Sequence, residues 1–157
     1  MSMKAEGIDL DVLMDGWIEG DTHLYPLVVQ YEDTDAAGIV YHANYISYAE
    51  RARTALLRCM GVEMNALIER GDIIVISRIE IDYRKPSVIG DRLFVRTSRF
   101  RLGRTTLNML QVISDADEIT RASLEVRGAF VSASGGRPVR VPADVRAKMD
   151  KFTSGNE

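Results

Sequence analysis

Between residues 77 and 84 the chain reads SRIEIDYR, with Ile79, Ile81 and Tyr83 alternating with Arg78, Glu80 and Asp82. A period of two predicts a strand with one dry face and one wet face. The same alternation returns over residues 119–131, where Ala122, Leu124, Val126 and Phe130 oppose Arg121, Ser123, Glu125 and Arg127. Two further strands are predicted at 91–102 and 104–114, after a break at Pro86 and Gly90. They meet at Gly103, a tight hairpin signal. The turn SDADE separates residue 114 from the next strand, and SASGGRP ends that strand as a loop. An earlier apolar run, LYPLVVQYED at 24–33, predicts a strand that ends in charge, with Pro26 tolerated near its start.

One stretch has a different period. Over residues 43–60, Tyr45, Tyr48, Ala49, Ala52, Leu56 and Cys59 recur at three- and four-residue steps. Ser47, Glu50, Arg51, Thr54 and Arg58 take the other face, which predicts an amphipathic helix. Asn44 is the expected cap at its start and Gly61 the stop at its end. EMNALIER at 63–70 adds a turn or two of helix, and ADVRAKM at 143–149 a short terminal helix entered through Pro142. Residues 1–22 read as an N-terminal arm, a mobile or loosely docked extension, with docking on a partner subunit as the alternative. Residues 23–157 form the predicted single domain. One strand, one long helix and four strands joined by short turns make an α+β fold. Its sheet is antiparallel and curved around the helix, which buries its apolar stripe there.

Composition narrows the functional classes. At 157 residues, 46% hydrophobic, the chain builds a sufficient core without staples. A net charge of −3 shows no basic excess for nucleic acid, though a local basic patch for a small anion is compatible with it. One cysteine, Cys59, forms no intrachain disulfide, and its place on the apolar stripe reads as a small core residue. Acids interrupt the N-terminal stretch where a secretory signal would be apolar. No run approaches the roughly 20 apolar residues of a membrane span. The expectation is a cytoplasmic protein.

The candidate chemistry lies in YEDTDAAGIVYHANY at 31–45, with Glu32, Asp33 and Asp35 just before the long helix. As a calcium loop DTDAAG fails, because Ala37 and Asn44 stand where ligands are needed. As a phosphatase nucleophile it lacks the parallel sheet that crossover helices would build. A third use fits the helix itself. Its first amides are unpaired and carry partial positive charge, so they can polarise a carbonyl. The small run AAGIV, with Gly38 least obstructive, lets a ligand approach the backbone. An aspartate, with an ordinary pKa of about 3.9, is ionised at neutral pH and serves as nucleophile or general base. A plain capping role for Asp33 or Asp35, and a surface role for His42, explain the same residues equally from spacing alone.

The run D-x-D-x-x-G-I-V-Y-H, with DYRKPSVIGDRLFVRT further on, resembles hotdog-fold acyl-CoA thioesterases of the 4-hydroxybenzoyl-CoA thioesterase type, most closely the YbgC-like branch. The resemblance covers about residues 24–145. It implies that Asp35 is the catalytic carboxylate. It also implies that the His42 backbone N–H polarises the thioester carbonyl while its imidazole assists. Gly38, Ile39, Val40, Tyr41, Asn44 and Tyr45 are the substrate-binding residues it implies, and Arg101, Arg104 and Arg137 hold the phosphates of coenzyme A. The reaction implied is thioester hydrolysis of a short- or medium-chain or aromatic acyl-CoA, with no metal and no cofactor beyond the coenzyme A of the substrate. The sequence YHANY departs from the aromatic-substrate members and weighs toward an aliphatic chain. A related branch uses a glutamate on the central helix; here Glu50 is expected to pair with Arg53. A homo-oligomer is implied, a dimer or dimer of dimers with sites between subunits. A hotdog dehydratase and a non-catalytic acyl-CoA binding module are the alternatives.

Overall fold

The computed structural model describes residues 7–153. In chain order its elements are α1 (Leu10–Asp15), β1 (Trp17–Glu19), β2 (Thr22–Val28), α2 (His42–Cys59), α3 (Met64–Glu69), β3 (Asp72–Tyr83), β4 (Arg92–Leu102), β5 (Thr106–Asp115), β6 (Thr120–Ser132) and α4 (Ala143–Thr153). The strands form one antiparallel sheet in the order β1-β2-β4-β5-β6-β3.

β4, β5 and β6 follow one another as a meander, and the β4–β5 hairpin turns at Gly103, whose N–H donates to Thr106 O at 2.7 Å. β3 departs from the expected neighbour order: it pairs with β6 at the far edge, not with β4. The connection at 84–91 is long enough to cross the end of the sheet. Arg121 on β6 pins that crossing: its carbonyl accepts from Arg84 N and Lys85 N, and its Nη1 donates to Pro86 O at 2.6 Å.

α2 lies on one face of this sheet. Tyr45, Tyr48, Ala49, Ala52 and Leu56 are all 3% exposed or less and share one core with Leu93, Val95, Ile113 and Leu124. The alanines bring the helix backbone close to the strands. Truncating a filled position such as Leu124 to alanine would cost about 2–5 kcal/mol. Gly61 closes the helix as its sequence suggests, with φ +79° and its N–H on Arg58 O.

Two expectations about this helix are corrected, and one inward-facing residue is added. Cys59, the last residue of α2, is exposed, its thiol reaching Asp15 O at 3.7 Å. Asn44 is not the cap: Tyr41 holds that position, and the Asn44 amide instead donates to Asp33 O at 2.8 Å. Arg53, a charged residue, is buried and bonds inward to Gln111 Oε1 at 2.9 Å.

The described part of the N-terminal segment is built into the fold. β1 adds to the sheet against β2, and Pro26 lies beyond its reach on the open edge. Asp15 joins α1 to α2 through an ion pair with Arg58 at 2.7 Å. The Asp15 carbonyl also meets the fully buried His23 Nε2 at 2.7 Å. Among the described residues no helix is long and apolar enough to cross a membrane.

Candidate active site

The site is built where β2 ends and α2 begins. After β2 the chain makes a short 3-10 turn, Tyr31–Asp33, then a tight loop closed by pairing of Thr34 with Val40. Asp35 N donates to Ile39 O and Gly38 N to Asp35 O, both at 2.9 Å. This turn needs φ +78° at Gly38, where nothing lies within 4 Å of a would-be side chain.

The two acids of the D-x-D have different places. Asp33 is 7% exposed and acts as the anchor. Its Oδ2 accepts from Gln30 N at 2.8 Å, and its carbonyl accepts both Tyr41 N at 2.9 Å and the Asn44 amide at 2.8 Å. These bonds tie the base of the loop to the first turn of α2. Asp35 is exposed. Its Oδ1 accepts from Ala37 N at 2.8 Å, while Oδ2 has no hydrogen-bond partner among the described residues. Asp35 lines an open concavity with Tyr31, Glu32, Thr34, Gly38 and Ile89.

α2 starts at His42 without a side-chain hydrogen bond from its N-cap residue, Tyr41. The His42 and Ala43 amides have no acceptor among the described residues and are available to a ligand, while Asn44 N donates to Tyr41 O at 2.8 Å. The His42 ring is exposed and lies 4.6 Å from the Tyr41 ring, centroid to centroid. The His42 carbonyl accepts from the Tyr83 hydroxyl at 2.9 Å. Burial, then Tyr45, push the Tyr83 phenol up, so it stays protonated and donates at neutral pH. Tyr48, below the loop, is also pushed up by burial and by Asp33, and its buried hydroxyl lacks a well-formed hydrogen bond.

Of the other residues singled out from sequence, Gly38 is exposed beside Asp35, Ile39 is half-buried and Tyr41 is 46% exposed. Val40 and Tyr45, each 3% exposed, lie in the core. Val40 N donates to Ser87 O at 2.9 Å and the Tyr45 hydroxyl to Ser87 Oγ at 3.1 Å, so both hold the loop onto the 84–91 connection.

The arginines lie at the opposite end of the strands. Arg104 sits in the β4–β5 hairpin, and its carbonyl accepts Val141 N at 2.9 Å. Arg137 lies on the same C-terminal segment, its carbonyl accepting Ser132 N at 2.8 Å. Arg101 pairs across the hairpin with Asn108. All three side chains are exposed, and none has an acidic partner among the described residues. Arg140, one residue before Val141, joins this basic end, as does Arg146, which donates to Gly103 O at 2.5 Å. Glu50 pairs with Arg53 at 2.9 Å, as its three-residue spacing predicts.

Sequence reasoning missed Tyr83, Ser87 and Ile89 as parts of this region. Tyr83 was legible only as a strand residue, and its contact with His42 spans 41 positions. Nothing local signals it.

Comparison with known proteins identifies the family and the fold. The thioesterase-like superfamily matches residues 29–149. An acyl-CoA thioesterase YbgC from Haemophilus influenzae is 34% identical over 125 residues, 78% of this chain and 90% of that protein. The structure of a probable thioesterase from Bartonella henselae superposes with a TM-score of 0.71 at 31% identity, covering 77% of this chain and 99% of the other. The structure of a 1,4-dihydroxy-2-naphthoyl-CoA thioesterase from Synechocystis shares the fold, with a TM-score of 0.76 at 20% identity over 84% of this chain and 95% of the other. The α+β architecture, the D-x-D loop at the head of α2 and these similarities lead to one conclusion: the chain belongs to the thioesterase-like superfamily, in the YbgC-like branch of hotdog-fold thioester hydrolases.

Proposed function

We propose that the chain hydrolyses acyl-CoA thioesters at the Asp35 loop. The thioester carbonyl lies at the head of α2, where the His42 N–H donates to its oxygen. As the carbonyl carbon becomes tetrahedral its oxygen gains charge, and one well-placed donor contributes about 2.7–4 kcal/mol to such a transition state. Asp35 then acts by one of two routes. Its carboxylate adds to the carbonyl carbon, expels the coenzyme A thiolate and leaves an anhydride that water cleaves. Alternatively, it takes a proton from the water that attacks. Either way, thioester plus water gives a carboxylic acid and free thiol. The His42 imidazole, exposed at the same helix end, orients or protonates the reacting groups. One observation carries the proposal: an exposed carboxylate with a free oxygen, in a loop hydrogen-bonded to the start of a helix that no side chain caps.

The acyl group proposed is a short or medium aliphatic chain. A cavity of about 100 Å³ between α2 and the sheet is lined by Leu56, Leu57, Met60, Met64, Phe100 and Met109, with Glu50 and Arg53 as charged members of its wall. Flexible methionines suit a flexible chain. At about 1.5 Å per residue, the residues of α2 and its C-cap that line it, Glu50 to Met60, lie roughly 12 to 27 Å along the helix from His42. β3 offers the edge for pairing with a second copy: twelve residues long, it has no strand partner on its outer side among the described residues and exposes Val75 and Ile76. The basic end at Arg104, Arg137 and Arg101 takes the phosphates of coenzyme A, for which the guanidinium fork is suited.

The test is free-thiol release from a panel of acyl-CoAs of rising chain length, with aromatic acyl-CoAs alongside. Turnover highest on aliphatic chains supports the proposal. Binding without thiol release would reject hydrolysis, and a preference for aromatic acyl groups would reject the assigned substrate class.

A further inference from the structure

We infer that Tyr83 is a positioning residue for this hydrolysis: its hydroxyl fixes the first residue of α2, and with it the amide that meets the thioester oxygen. The inference rests on the function proposed above.

Tyr83 is the last residue of β3, the outer strand of the sheet. Its ring stands edge-on to His42 at 6.1 Å and to Tyr45 at 5.8 Å between centroids. Tyr45 is itself fixed, being 3% exposed and bonded to Ser87. The direction of the Tyr83 hydroxyl is thus set from the core side, and it donates to His42 O at 2.9 Å. Tyr83 itself is 45% exposed, so it is not there to fill the core.

Helix ends fray, and this one has no side-chain cap to resist fraying. Two anchors hold its start. Asp33 O takes the Tyr41 N–H and the Asn44 amide, and Tyr83 reaches across from the sheet to the first helical residue. Without the hydroxyl, His42 is held from the loop side alone. A carbonyl that accepts a hydrogen bond also polarises its own peptide, which makes the next amide, that of Ala43, a stronger donor. Losing the hydroxyl therefore loosens the helix start that carries the His42 amide and weakens the neighbouring Ala43 amide. A small displacement of reacting groups is enough to lower a rate markedly.

Tyr83→Phe keeps the ring contacts and removes only the hydroxyl. On the best acyl-CoA of the panel, kcat is expected to fall about tenfold, less than the 10²–10³ lost when a direct oxyanion donor is removed. KM stays within about twofold, because the contact is with the enzyme's own backbone. Amide exchange at residues 44–47, the first hydrogen-bonded amides of α2, becomes faster while that in β5 is unchanged. Wild type and Asp35→Asn are run in parallel. If wild type releases no thiol, or Asp35→Asn matches it, the proposed function itself fails. If wild type is active, Asp35→Asn inactive and Tyr83→Phe retains wild-type kcat, only the role of Tyr83 fails. That role is equally overturned by a kcat loss that matches a loss of folded protein, by a rise in KM alone, or by unchanged exchange at 44–47.

Discussion

Arg53 is a charged residue in the contact between α2 and the sheet, and its removal has a calculable consequence. The guanidinium donates to Gln111 Oε1 and to Glu50 Oε2, both at 2.9 Å. Gln111, fully buried, passes the network on to Ala49 O at 3.0 Å and Thr97 Oγ1 at 3.1 Å. Burial holds the Arg53 pKa below its ordinary value, and Glu50 only partly offsets this. Arg53→Met keeps the stem and removes the donors. The orphaned Gln111 oxygen then costs about 1–3 kcal/mol. The Glu50 side chain is 66% exposed, so loss of that pair adds at most about 0.5 kcal/mol. A total near 2 kcal/mol lowers Tm by about 4–8 °C for a chain of this size. Gln111→Leu strands the buried cation and is expected to cost at least as much. The double variant strands neither partner, so its cost should fall below the sum of the singles by about 1–2 kcal/mol. Thermal unfolding of the four proteins measures this. Unchanged Tm in Arg53→Met, or strict additivity in the double variant, would refute the reasoning.

Two pH effects follow from groups away from the site. Burial lowers the pKa of His23, whose Nε2 bonds Asp15 O while its Nδ1 is buried without a partner among the described residues. The unfolded chain therefore takes a proton that the folded chain refuses: stability is full above about pH 6.5 and falls as pH drops below it toward the lowered folded value. Tm against pH should show that decline in wild type and lose it in His23→Gln; an equal slope in both would reject the assignment. The Arg70 guanidinium hydrogen-bonds Asp144 and lowers its carboxyl to about 2. That contribution is present above the ordinary carboxylate value and is lost as pH falls from about 4 through 2. Asp144→Asn should flatten the acid limb of the Tm profile there, and an unchanged limb would count against the pair.

The parts of the fold that local periodicity encodes were legible. The alternation of Ala122, Leu124 and Val126 placed all three inward, and the steps from Tyr45 to Leu56 placed the helix stripe on the sheet. Gly103 marked its hairpin. Long-range choices were not legible. Nothing in SRIEIDYR says that β3 pairs with β6 rather than β4, because the answer lies in how the 84–91 connection is clamped by Arg121. Arg53 was assigned no inward role from sequence because a lone cation shows its value only against Gln111, 58 positions on. Cys59 fits the stripe pattern, yet it is the last residue of α2 and is exposed there. At the site, the D-x-D run located the loop, but not that Asp33 would be the buried anchor and Asp35 the exposed acid. Burial separates two identical side chains that spacing cannot.

The central claim is that the Asp35 carboxylate performs the hydrolysis. Asp35→Asn preserves size and the Oδ1 bond to Ala37 N, so loop and fold should persist. The decisive measurement is steady-state thiol release by this variant on the preferred acyl-CoA, beside its affinity for a non-hydrolysable acyl-CoA analogue. The account predicts a kcat lower by three orders of magnitude or more (roughly 4 kcal/mol in the barrier) with affinity within a few-fold of wild type. Thiol release at the wild-type rate would contradict it.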